Sequence, residues 1–269
     1  MFNVSYRYTK LKGSDTARNI KTLDAYLALP VIHNEQNQLA AAFGYRQVRL
    51  NNFEGSYPQI VYGTSARLVY QTRLSEQHQL RFFGQLGAYC DYKNISSDDF
   101  RWSVGSEYII QSTTNNKFGF GLAYSRQFYG NQIVPLIEFD QRLSERWSIS
   151  GIFPINPRLE YKISDKSKTG VEMNVDVSTY RFSSAENNNQ YFKTTQGNLS
   201  LFYRYIIVKH WNVNVKAGIS PKQKFGIYDQ TCKSTWTLLT LPIGEKPQAI
   251  ESFRNSAFSG QIGLAYSLF

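Results

Sequence analysis

No stretch of this 269-residue chain approaches the roughly 20 consecutive apolar residues that a membrane-crossing helix needs. The longest apolar pieces, such as Leu238-Leu239 or Ile206 to Val208, run for only a few residues, and the mean hydropathy is −0.41. A helical membrane protein is thereby excluded. Cysteine and methionine are scarce, with 2 of each, and there are 3 histidines, His33, His78 and His210. Thiols and imidazoles this few and this scattered do not build a zinc site, so no metal and no cofactor is expected. All three histidines fall in or beside expected short turns, and no His-x-Ser arrangement offers the base and nucleophile of a hydrolase. A Gly-rich phosphate cradle is missing as well. The net charge is +10, yet Lys and Arg are spread without a dense run. With no recognition-helix pattern either, nucleic acid is not an expected partner. Helical periodicity is absent throughout.

What is abundant is aromatic: 19 Tyr, 18 Phe and 4 Trp. Tyr and Phe favour strands, and amphipathic aromatics gather where membrane meets water. Alternation with a period of two runs almost from end to end. Phe2, Val4, Tyr6 and Tyr8 alternate with Asn3, Ser5, Arg7 and Thr9; Phe118, Phe120, Leu122 and Tyr124 face away from Gly119, Gly121, Ala123 and Ser125. One side of each strand is large and apolar, the other small or charged. A soluble sandwich turns the apolar side to a shared core, whereas a transmembrane barrel turns it to lipid. Periodicity alone does not separate the two.

Connection lengths are more informative. Short turns are expected near residues 33–37, 74–78, 113–116, 144–146, 164–167 and 208–210, and longer loops near 10–19, 51–59, 92–99, 183–193 and 221–255. Tight connections at 129–132 and 154–156 are the exceptions. Short turns at one end and long loops at the other mark an up-and-down antiparallel barrel. The hairpins count to about fourteen strands in a single domain over 1–269, with twelve as the alternative count. A weak repeat closes strands at the short turns: Arg73-Leu74-Ser75-Glu76, Arg142-Leu143-Ser144-Glu145 and Lys162-Ile163-Ser164-Asp165. Serine followed by an acid suits such turns, because both side chains bond nearby amides.

The segments Trp147 to Pro154 (WSISGIFP) and Arg158 to Ser164 (RLEYKIS) resemble an uncharacterised outer-membrane β-barrel family of Bacteroidetes, a domain of unknown function, over nearly the whole chain. The last residue, Phe269, resembles the terminal aromatic of outer-membrane barrels, although Ser267 stands where a second aromatic is usual. The resemblance implies residence in a bacterial outer membrane, in contact with its lipid and lipopolysaccharide. It also implies a secretory leader on the precursor, since here Met1 is followed at once by a strand.

Placed on such a barrel, the polar faces put Arg67, Arg101, Glu107, Glu138, Asp140, Arg142, Arg158, Glu160, Lys162, Glu172, Asp176, Arg204 and Lys216 in the lumen, as pore-lining residues. Unpaired buried charges are costly, so these should pair across strands, either lining a narrow hydrophilic channel or packing a closed ionic lumen. The expected function is a non-enzymatic barrel: a narrow or loop-occluded pore for small polar solutes, or a structural membrane component. A barrel enzyme acting on lipid and a soluble β-sandwich binding module are the alternatives. The 221–255 segment is expected to plug or cover the mouth. Cys90 and Cys232 both fall toward the long-loop end, where a disulfide is chemically allowed. Asp91, Asp98 and Asp99 form an acidic loop tip that a weak calcium site or plain solvation explains.

Overall fold

A strand that must touch lipid on one side and polar groups on the other needs only strict alternation, and this chain supplies it. The computed structural model describes residues 1–12, 18–113, 115–183, 189–231 and 233–267. Among them are sixteen strands: β1 (Phe2–Leu11), β2 (Asn19–His33), β3 (Asn37–Asn51), β4 (Ile60–Arg73), β5 (His78–Cys90), β6 (Phe100–Thr113), β7 (Asn116–Gln127), β8 (Gly130–Arg142), β9 (Trp147–Phe153), β10 (Arg158–Lys162), β11 (Ser167–Arg181), β12 (Gln190–Val208), β13 (Trp211–Asp229), β14 (Ser234–Leu238), β15 (Leu241–Ile243) and β16 (Glu251–Tyr266). Strands β1 to β13 pair in chain order, β13 pairs with β16, and β16 returns to β1, so fourteen strands close an antiparallel ring. The other two, β14 and β15, form a hairpin outside the ring order.

Phase settles which side faces lipid. Leu68, Val104, Leu122 and Leu201 are 57, 48, 58 and 65 % exposed, whereas Arg101 is 7 % exposed. Tyr6 and Leu264 also lie on the exposed face; Val4, Phe139, Val175 and Val213 are half-buried. Large apolar side chains point outward around the ring and charges point inward. That is the inverse of a soluble sandwich, and it places the barrel in a bilayer as outer-membrane barrels are placed.

The repeat at the short turns does what its chemistry suggests. Ser75 Oγ accepts from the His78 amide at 3.2 Å, Ser144 Oγ from the Trp147 amide at 3.1 Å, and Ser164 Oγ from the Lys166 amide at 3.3 Å. We call this the turn end, and the opposite one the loop end.

Two departures from a plain cylinder position the site. First, β9 and β10 are only 7 and 5 residues long, so their connection stops partway up the wall. Above it β8 and β11 have no strand between them, which leaves a notch. The hairpin enters the notch from above: β14 runs parallel to the top of β8, with Trp236 opposite Asn131 and Leu238 opposite Ile133. Second, the top of β11 leaves the wall and folds inward until Arg181 bridges Cys90 on β5. This pinch divides the loop end into a nine-strand lobe, from β11 through β12, β13, β16 and β1 to β5, and a smaller lobe walled by β6 to β8.

Candidate functional site

The lumen is built from the inward half of the dyad, and its charges meet as cross-strand neighbours. On β5 to β8, Arg81 lies 2.9 Å from Glu107 and 2.5 Å from Glu138, which Lys117 also reaches at 2.5 Å. On the facing wall Glu172 holds Arg158 at 2.7 Å and also pairs with Lys216, while Glu160 holds Lys168 at 2.6 Å and Arg204 at 3.5 Å. Glu138, Glu160 and Glu172 each sit between two cations, which offsets the cost of removing them from bulk water, while Glu107 has Arg81 alone. Three of the residues placed in the lumen by sequence, Asp140, Arg142 and Lys162, lie at the turn end instead of the centre. There Lys162 pairs with Asp165 at 2.5 Å, and Arg142 donates to the Ser144 carbonyl at 3.2 Å.

Across the middle, side chains from opposite walls meet. Arg46 of β3 is clamped by Asp24 of β2 at 2.6 Å and by Asp176 of β11, nearly across the ring, at 3.1 Å. Arg101 reaches from β6 to Thr179 of β11 and to Gln127 at 2.7 Å, and its guanidinium lies 3.6 Å from the centre of the Tyr89 ring. Around these struts is a polar chamber of about 530 Å³ whose lining carries Arg7, Arg46, Arg67 and Arg101 against Asp24 and Asp176. Arg46 takes both carboxylates. Among the described residues Arg7 and Arg67 bond the amide oxygens of Gln261 and Gln85, each at 3.0 Å, and neither makes an ion pair. The chamber is therefore lean in negative charge.

Above the chamber the lumen is dry. Tyr180, Phe192, Phe225, Ile227 and Val61, each at most 1 % exposed, fill the nine-strand lobe. Phe53 and Tyr57 of the 52–59 loop cap them, with Phe53 edge-on to Phe225 at 5.6 Å. Burial pushes the Tyr57 phenol up to about 12, and nearby Glu251 adds to the shift against Arg18. A second cluster, Phe128, Tyr129, Tyr191 and Tyr228, packs beside the pinch. The plug is thus made by inward side chains of the strands themselves. That corrects the expectation of a plugging loop at 221–255: residues through Asp229 and from Glu251 onward are strand, and the hairpin between them lies in the wall.

The acidic loop tip is structural. Asp99 pairs with Arg181 at 2.9 Å, Ser96 accepts from Arg181 at 3.0 Å, and Asp91 accepts from the Ser183 amide at 3.0 Å and from its hydroxyl. These carboxylates tie the loop before β6 to the infolded end of β11. No metal-holding group of His, Cys, Asp and Glu occurs among the described residues. Cys90 is buried, and Cys232 lies outside the described residues, as does Phe269. At the turn end, His78 Nδ1 meets the Tyr108 hydroxyl at 2.8 Å and His210 packs edge-on to Tyr266 at 5.7 Å.

Above the apolar band, on the outer face of β12, β13 and β16, Lys193, Lys222, Lys224 and Arg254 line a niche of about 240 Å³ with Lys246, roofed by the hairpin. No carboxylate is in its lining among the described residues. Burial holds the Lys193 ammonium down to about 8, with Lys224 adding to the effect.

Arg46, Asp24, Arg81, Lys117 and Lys168 were missed as lumen residues, though each lies on a polar strand face. A signal for the plug is also present: on β12 the outward positions Leu199, Leu201, Tyr203 and Tyr205 give way above to Gly197, Thr195 and Lys193, while Phe192 takes the inner side.

A family model described as "Domain of unknown function (DUF6268)" matches residues 3–266. No curated protein matches the chain. Among solved structures it is similar to the NanC porin (11 % identity, all of both chains covered, TM-score 0.45) and the KdgM porin (10 %, 99 % of both, 0.40). A deltaS2 mutant of the TodX monoaromatic hydrocarbon channel is a third (7 %, 100 % of this chain and 89 % of that one, 0.39). Likeness this remote transfers no residue role.

Proposed function

Since the chain belongs to the family described as Domain of unknown function (DUF6268), we propose its function from its own geometry: a non-enzymatic, channel-like barrel that admits small polar solutes to a charged lumen and rests closed at its loop end. The observation that carries this reading is the polar chamber of about 530 Å³ beneath a dry aromatic plug. A barrel serving only as a scaffold gains nothing from a hydrated chamber, because buried polar groups cost free energy wherever they lack partners. Arg67, Arg101, Glu107, Glu138, Arg158, Glu160, Glu172, Asp176, Arg204 and Lys216 line the passage. Asp140, Arg142 and Lys162 line its turn-end vestibule. The uncompensated Arg7 and Arg67 give it a mild anion preference.

Planar-bilayer recording tests this. The intact protein passes little current, because the plug seals one end. Phe192→Ala with Phe225→Ala removes two stacked rings from the plug (centroids 6.4 Å apart) and should raise the current. Each truncation costs about 3–5 kcal/mol, so folding of the variant is checked by circular dichroism. A folded double variant that stays silent defeats the reading, as do large steady currents from the intact protein.

A further inference from the structure

We propose that the lumen also opens sideways, through the notch beside β8, and that a single-chain anionic amphiphile occupies this opening with its head at Arg67 and its tail in the bilayer. The proposal rests on the reading of the lumen as a passage and names a substrate class for it. Height is the first argument. Pro135 pairs with Leu122 on β7, and Leu122 is 58 % exposed on the lipid face, so the notch lies inside the apolar band.

The rim is the second argument. Hydrocarbon does not tolerate unpaired backbone donors, and the β8 edge and the floor of the notch present none. Ile133 turns its carbonyl to the notch and accepts from the Leu239 amide at 2.8 Å. Two residues on, in the same edge position, stands Pro135, which has no N–H. Below, the β9–β10 connection closes on itself: Asn156 Oδ1 accepts from the Ile152 amide at 2.9 Å, and the Asn156 amide donates to the Ile152 carbonyl at 2.8 Å.

The third argument is the space itself. A cavity of about 730 Å³ runs from Arg67, Gln85 and Asp176, which it shares with the polar chamber, to Leu136, Ile152, Ile155, Val175, Val177 and Leu239 at the notch. It is polar within and apolar toward the wall, and its volume falls in the range of roughly 300–1,000 Å³ usual for small-molecule sites. With the loop end sealed, this is the route from chamber to bilayer. Arg67 sets the sign of the head: of the charged lining residues Asp176 is held by Arg46 and Glu107 by Arg81, whereas Arg67 is exposed to the cavity, bonded only to Gln85 at 3.0 Å and near the Phe83 ring at 5.9 Å, with no ion pair among the described residues.

The test uses the intact chain in dimyristoyl-phosphatidylcholine nanodiscs, with 11-(dansylamino)undecanoate as the fluorescent probe and protein-free discs as background. Saturable binding is expected, displaced by dodecanoate and not by dodecyltrimethylammonium. Arg67→Gln should weaken it about tenfold or more, as loss of a charged hydrogen bond does, while Arg67→Lys retains most of it. Val175→Trp, which fills the notch, should abolish binding and leave unchanged the current of the Phe192→Ala, Phe225→Ala barrel. Absence of saturable binding overturns the proposal, and so does equal displacement by the cation or binding that survives both Arg67→Gln and Val175→Trp. Current in the plug-deleted barrel without probe binding removes the lateral site and spares the axial passage. Binding without current supports the site and removes the passage.

Discussion

Leu122 and Gly121 are chain neighbours on β7 that live in different solvents. Leu122 is 58 % exposed on the lipid face, so Leu122→Arg should cost about 2–4 kcal/mol if the position is near the bilayer midplane, read as a lowered urea midpoint in vesicles. Gly121 faces the lumen, and a Cβ there would stand 2.2 Å from the Ser106 carbonyl oxygen and 2.6 Å from Glu107 Cγ. Even Gly121→Ala should therefore destabilise the barrel through backbone displacement, by the same measurement. Lys193, above the band, carries a different signature. Its ammonium is lowered from 10.5 to about 8, chiefly by burial, so the folded chain releases that proton before the unfolded chain does. The penalty is full below about pH 8, shrinks as pH rises, and is gone above 10.5. The urea midpoint of the wild type should climb relative to Lys193→Met between those pH values, and parallel curves would refute the burial.

At the scale of single elements, much was legible because a barrel strand encodes its two environments locally. The alternation of Phe118, Phe120 and Leu122 against the glycines of β7 reads directly as lipid against lumen, and the serines at 75, 144 and 164 announce their turns. The hairpin β14–β15 was not legible. Its apolar Trp236 and Leu238 look like plug residues, but they pair with Ile243 and Leu241 and line the outer surface, because the short β9 and β10 leave an edge of β8 to be covered. Deleting residues 233–246 should consequently leave the barrel folded and its bilayer current low, since no ring strand and no plug ring is lost. A marked increase in current would place the seal in the hairpin after all. The inversion along β12, from outward Leu199 to inward Phe192, is a sequence signal for the end of the membrane band that simple counting of aromatics passes over.

At the scale of the molecule, contacts are set by ring closure, and no local pattern reveals them. Arg46 and Asp176 are 130 residues apart, and only the register of every intervening strand brings them together across the lumen. The same holds for Arg181 and Cys90, whose bridge makes one lobe of the loop end a small filled barrel within a larger one. Closure also distributes strength unevenly. All ten residues of β1 pair with β16, yet only six of β8 pair with β9 and only four of β9 with β10. Seen as a mechanical object, the barrel is a belt with one short-toothed zipper, and tension on the ring would concentrate there. Pulled by either terminus in a force microscope, the β9–β10 unit should yield with the smallest step and the lowest rupture force of any hairpin in the ring. The place where the wall is thinnest is then also the place where it would first give way.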